Sequence, residues 1–218
     1  MAARILAIAC LALTCQWAGA ASNTPFVPPW EREWRKQLTD ALAKKVKADI
    51  DKKPLSEAVD ALRGQAGVTI IIDPATQVAD KPVLVSLKAN DMLLSEALKQ
   101  LTQQAGLDFD QVFGVILIYN RTKIDKELLR PDDFLIGKML DGREERLNYE
   151  LTDSPAGDAL KELTEKPNIA MGMEEGLKQK KITIKFADIG LGNAIRWVVR
   201  LSGGRIMVDK DSMRVVKR

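Results

Sequence analysis

The chain has 218 residues, with 33 lysines and arginines against 30 aspartates and glutamates, a formal net charge of +3. A balance this even offers no broad electrostatic footprint for nucleic acid. Histidine is absent and cysteine occurs only at Cys10 and Cys15, which removes Ser-His-Asp and imidazole metal sites from consideration.

Residues 1–20 read as a signal peptide. Arg4 gives a positive start, residues 5–13 are a short apolar run, and Ala18-Gly19-Ala20 is a small-residue cleavage pattern. The run falls short of the roughly 20 residues a membrane span needs. Cleavage near Ala20 predicts a periplasmic or secreted protein free of cysteine, with no transmembrane segment. A lipid anchor at Cys15 is the weaker alternative, because Thr14 stands where a lipobox carries Gly or Ala. About 200 residues remain, enough for one large domain or two small ones.

Residues 21–45 combine a Pro-rich arm with an amphipathic helix. Pro25, Pro28 and Pro29 keep the arm extended. Trp30, Trp34, Leu38 and Leu42 recur at four-residue spacing over a helix at 31–45. The stripe is expected to pack on the following domain rather than stand exposed.

Residues 46–120 read as a first module. Val46, Ala48 and Ile50 alternate with charges as a half-buried strand. Pro54 is expected at the first position of a helix whose inner face is Leu55, Ala58, Val59, Leu62 and Ala66, with Gly67 as its stop. Residues 68–72 are a buried strand closed by Asp73-Pro74. Val83, Val85 and Leu87 form another, and Asn90 or Asp91 is expected to cap a second helix ending at Gly106. Two runs flanking Gly114 read as a closing hairpin. The helix pattern is a repeat: Leu55-Ser56-Glu57-Ala58-Val59 returns as Leu94-Ser95-Glu96-Ala97-Leu98.

Residues 121–146 break the pattern and read as a connector, whose patch Phe134-Leu135-Ile136 is expected to pack on a module. Residues 147–218 repeat the order as a second module. Leu147, Tyr149 and Leu151 alternate, Ser154-Pro155 is expected to cap and open a helix, and Asn168 stands where Gly67 stands before. Ile182, Ile184 and Phe186 form a further strand, a last helix runs over 191–201, and a hairpin closes the chain. The expected fold class is α+β: two tandem modules of β-α-β-β-α-β-β order, helices packed on mixed sheets.

These motifs resemble the secretin and TonB short N-terminal (STN) domain. The residues that carry the resemblance are Pro54-Leu55-Ser56-Glu57-Ala58-Val59 with Val68-Thr69-Ile70-Ile71-Ile72-Asp73-Pro74, then Val85-Ser86-Leu87-Lys88 with Leu94-Ser95-Glu96-Ala97-Leu98. The likeness covers 46–120 well and 147–218 loosely, because Gly190 and Gly192 interrupt the motif. It implies a periplasmic, non-catalytic domain used for protein contact. Pore formation and transport are not carried over, since the sequence holds no barrel-like series of ten-residue amphipathic strands.

The candidate chemical groups read as structural. Ser56 and Ser95 lie in first helical turns without a nucleophile elbow. The acid pairs Asp132-Asp133, Glu144-Glu145 and Glu174-Glu175 are adjacent residues that do not face one another. Gly203-Gly204 is a helix stop rather than a phosphate loop. The basic run 178–181 reads as a charged turn, and it and the tail Lys217-Arg218 are the sequence's candidates for an anionic contact. No catalytic, cofactor-binding or metal-ligating residue is assigned, and no cofactor is expected. The function expected is non-enzymatic binding of another envelope protein, by strand addition or in a groove between the modules. The alternative is a small-ligand or cell-wall-polymer binder with a pocket between the modules.

Overall fold

The computed structural model describes residues 29–76, 82–126, 136, 139–140, 145–165, 167–209 and 212–218. The signal peptide, Cys10, Cys15, the Pro-rich arm up to Pro28, the acid pair Asp132-Asp133, Phe134 and Leu135 of the connector patch, and Glu144 lie outside them. The first half contains α1 (Pro29–Leu42), β1 (Lys45–Pro54), α2 (Leu55–Ala66), β2 (Ile70–Ile72), β3 (Leu84–Leu93), α3 (Leu94–Ala105), β4 (Asp108–Val112) and β5 (Val115–Tyr119). The second contains β6 (Arg146–Pro155), α4 (Ala156–Glu165), β7 (Met171–Met173), α5 (Glu175–Lys178), β8 (Lys181–Gly190), α6 (Leu191–Leu201), β9 (Gly204–Asp209) and β10 (Ser212–Lys217). The fold is α+β, with two antiparallel ribbons, β1-β3 and β6-β8, and two mixed sheets, β2-β5-β4 and β7-β10-β9. Among the described residues no helix is long and apolar enough to cross a membrane.

One local device recurs at four places. A strand runs straight into a helix with no loop between them, at Pro54/Leu55, Leu93/Leu94, Pro155/Ala156 and Gly190/Leu191. Three residues before each helix start stands a left-handed residue: Lys52, Asp91, Asp153 and Asp188. Lys52 and Asp153 fall inside the register shifts of their ribbons, where the strand bulges and turns toward the helix. The bulge N–H groups of Lys52 and Asp153 are met by cross-strand hydroxyls, Ser86 Oγ at 2.9 Å and Thr183 Oγ1 at 3.0 Å. Each helix ends on a left-handed residue: Gly67, Gly106, Asn168 and Gly203.

This junction corrects the expected helix caps. Asn90, Asp91 and Ser154 belong to strands β3 and β6, and Pro54 and Pro155 end their strands one residue before the helix. No side-chain cap forms at the starts of α2, α3 and α6. The ribbon supplies the acceptor instead. The first N–H of each helix donates across the ribbon: Leu55 to Val83 O, Leu94 to Lys44 O, Ala156 to Lys180 O and Leu191 to Glu145 O, all at 2.8–2.9 Å. A backbone carbonyl thus satisfies one of the N–H groups that a helix start leaves without an intrahelical partner.

Two apolar clusters form, and the sheet of the first half belongs to both. Ile70, Ile116 and Ile118 point into the cluster of α2 and α3. Ile71, Val115, Leu117 and Tyr119 point into the cluster built by the second half. Alternation along a strand puts neighbours on opposite faces, so all of β5 is buried. Helix α6 contributes to the same cluster, and its residues Leu191–Arg200 are all buried. The two halves therefore share one apolar junction. Of the tryptophan stripe, Trp34 and Leu38 of α1 are buried in the first cluster, as expected, and the Trp30 side chain lies outside the described residues. In the connector, Ile136 and Leu140 are buried in the second.

Candidate functional site

The junction is pinned by the tip of the β4-β5 hairpin. Val112 pairs with Val115 across the two-residue turn Phe113-Gly114, and both turn residues have positive φ, 44° and 74°. Such a turn matches strand twist but favours Asn or Gly at its first position. Phe113 is held there by its surroundings. Its carbonyl accepts the Trp197 Nε1–H at 3.1 Å. Its ring lies 4.1 Å from the Arg200 guanidinium and 5.7 Å from that of Arg196. The Trp34 ring packs against it with centroids 6.3 Å apart. Arg196 also donates to Asn193 Oδ1 at 3.0 Å, and Asn193 covers Gly114, where an added Cβ would stand 2.7 Å from Asn193 Nδ2. Two buried arginines thus meet an aromatic face and an amide.

Beside this joint the halves leave a cleft of about 590 Å³. Its walls are the turn Asp73-Pro74-Ala75 after β2, Asp125, the α5 segment with Glu174 and Lys180, the last turn of α6 from Arg200 to Gly203, and the end of β10 at Lys217 and Arg218. Asp73 is the unusual member. It is 4% exposed. Its Oδ1 accepts the Ala75 N–H at 3.1 Å, but its Oδ2 is buried with no hydrogen-bond partner among the described residues. Burial pushes this carboxyl above its ordinary range; the Ala75 N–H opposes the rise and the Asp125 charge adds to it. Glu174 Oε2 accepts the main-chain N–H of Lys217 at 2.8 Å. The Arg218 guanidinium donates to the Asp125 carboxylate and to the Arg200 carbonyl.

A stability prediction follows from Asp73. A folded-state pKa above the unfolded one means that the native state keeps its proton to higher pH. The group's contribution is complete below the ordinary carboxylate value of about 4 and is lost as pH rises through the folded value. Asp73→Asn keeps the acceptor for Ala75 and removes the charge. It is expected to gain about 1 kcal/mol at pH 7, a rise in Tm of about 2–4 °C, and to show no gain at pH 3. Thermal melts at the two pH values check this, and an equal shift at both would contradict it.

The sheet edges carry a second functional signal. Gln65 of α2 accepts the Lys47 N–H at 2.9 Å and donates to the Lys47 carbonyl at 2.7 Å. Gln104 of α3 does the same to Ser86, at 3.0 and 2.8 Å. Each amide occupies edge groups that an added strand would use. In α6, Leu201 stands where α3 carries Gln104, so this closure is absent from β8.

The sequence candidates fall mostly on structural roles. Ser56 is exposed and Ser95 half-buried on their helices. Within the basic run, Lys178 pairs with Glu175 at 2.7 Å and Lys181 Nζ donates to the Asp153 carbonyl at 3.0 Å. Gly203 is a helix stop with φ 82°. The tail Lys217-Arg218 and Glu174 are brought together with Asp73 in the cleft. Sequence reasoning placed Asp73 only as a strand stop; an Asp-Pro after an apolar strand gives no sign of an orphaned carboxylate. Among the described residues no group of three or more carboxylates is placed to hold a metal ion. No family model, curated protein or solved structure matches this chain.

Proposed function

We propose that this is an exported, non-enzymatic recognition protein of a bacterial envelope, built from tandem STN-like modules, that receives an extended segment of another envelope protein in the cleft between its halves. The observation that carries this reading is the cleft, about 590 Å³, with Asp73 in its wall and a buried carboxylate oxygen there that has no partner among the described residues. An unsatisfied buried polar group costs stability, and such costs concentrate where a surface serves binding. Mixed charges and small apolar groups at Pro74, Ala75, Leu177 and Leu201 suit a peptide better than a single apolar ligand.

The glutamine closures at Lys47 and Ser86 weigh against strand addition at the first ribbon. The β8 edge lacks such a closure, and the groove is preferred over it because its wall holds Asp73, whose buried Oδ2 has no partner among the described residues. The test is photo-crosslinking of the exported protein from two positions. A crosslinker at Lys180, in the cleft wall, is expected to trap one defined envelope protein, whereas one at Lys47 traps none. Trapping from Lys47 alone, or cell-wall polymer in place of protein at Lys180, would overturn the reading.

A further inference from the structure

We propose that the cleft contains a guanidinium subsite, filled in this structure by Arg218, that takes an arginine side chain of the captured segment. The proposal rests on the function above and names the chemistry of its partner. Its first support is the manner in which Arg218 is held. The guanidinium uses one nitrogen on the Asp125 carboxylate and the other on the Arg200 carbonyl. A planar fork meeting two differently placed oxygens is a geometry that arginine provides and an ammonium does not.

The second support is the charge of the surroundings. The Arg200 carbonyl belongs to the last turn of α6, an eleven-residue helix. The exposed carbonyls of a helix end carry partial negative charge and favour a cation. Arg200 itself has its guanidinium over the Phe113 ring at 4.1 Å.

The third support is Asp73. Asp73 lines the same cleft and is 4% exposed, and its buried Oδ2 has no donor among the described residues. Asp125 lines the same cleft, and its charge adds to the rise that burial imposes on the Asp73 carboxyl. Arg218 engages only Asp125 of the pair among the contacts described. An arginine reaching in from outside has the Asp125 carboxylate and the helix carbonyl to meet, with Asp73 in the wall of the same cleft. Arg218 is attached through its main chain, with its N–H on the Gly203 carbonyl at 3.2 Å. Its side chain can leave without unpairing β10.

The test uses the full exported chain and acetyl-arginine methylamide as the probe, titrated by calorimetry or by chemical shift. Arg218→Ala empties the subsite, and the probe is expected to bind this variant at least about tenfold more tightly than the wild type. Adding Asp125→Asn is expected to abolish the gain. Acetyl-lysine methylamide is expected to bind the emptied site about tenfold more weakly than the arginine probe. Arg218→Ser, with circular dichroism on each variant, provides a second emptied site should the alanine variant fold poorly. No gain in either variant, a gain that survives Asp125→Asn, or equal binding of both probes would overturn the proposal. Because no partner protein enters this test, its failure is distinguishable from failure of the cross-linking experiment.

Discussion

Trp197→Ala is expected to lower the unfolding free energy by about 3–5 kcal/mol, the range for removing a fully buried aromatic side chain. Trp197 is 0% exposed and lies in the cluster that both halves build. Its indole N–H is the donor on the Phe113 carbonyl, so the truncation also strips the turn of that bond. Against a typical domain stability of about 5–15 kcal/mol the loss is a large fraction of the whole. Trp197→Phe separates the two effects. It keeps most of the ring volume, leaves the carbonyl unpaired, and is expected to cost about 1–3 kcal/mol. Urea denaturation of both variants measures this, and a cost below about 1 kcal/mol for the alanine variant would remove Trp197 from the joint.

Gly192→Ala is expected to destabilise the protein although it improves helix propensity. Alanine in place of a helical glycine ordinarily gains about 1 kcal/mol. At Gly192 the new Cβ would stand 2.7 Å from the Leu140 carbonyl oxygen and 3.0 Å from its carbon. Those are backbone atoms of a segment whose Leu140 side chain is fully buried, so relief requires the segment to move. Overpacking of this kind costs about 1–3 kcal/mol. Gly64 in α2 is the matched control, with nothing within 4 Å of an added Cβ. Gly64→Ala is expected to gain about 0.5–1 kcal/mol. Opposite signs for the two substitutions in thermal melts would support the contact, and equal gains would contradict it.

The same glycine illustrates how far the sequence could be read. The repeated Leu-Ser-Glu-Ala pattern made the helices that follow the ribbon strands legible, but not the short α5 between β7 and β8, which read as a charged turn; the departure at Gly192 was visible as an interruption. Its cause was not, because Leu140 approaches from 52 positions away in a segment with no periodicity. Asn168 was legible for a sharper reason: it occupies the position of Gly67, and its φ of 53° is the left-handed value that Asn tolerates. The bulges three residues before each helix were not legible. Lys and Asp stand there, and neither announces a positive φ as glycine does.

The shared junction left one trace. The run Val-Ile-Leu-Ile-Tyr over β5 has no polar alternation, and an unbroken apolar strand is one covered on both faces. Read as a closing hairpin, it pointed to a single module core; its odd and even residues in fact serve different clusters. The cleft was beyond reach for a related reason. Its walls come from five separated stretches between Asp73 and Arg218, and each alone reads as a turn, a linker or a strand end.

The central claim is that the two halves form one body whose junction makes the site. Hydrogen exchange in rising denaturant, followed by mass spectrometry, tests it most directly, because β5 and α6 come from different halves and contribute to the same apolar cluster. The account predicts that peptides covering Val115–Tyr119 and Leu191–Leu201 lose protection at the same denaturant concentration. Loss of protection in α6 while β5 stays protected would contradict it and would separate the halves into independent units.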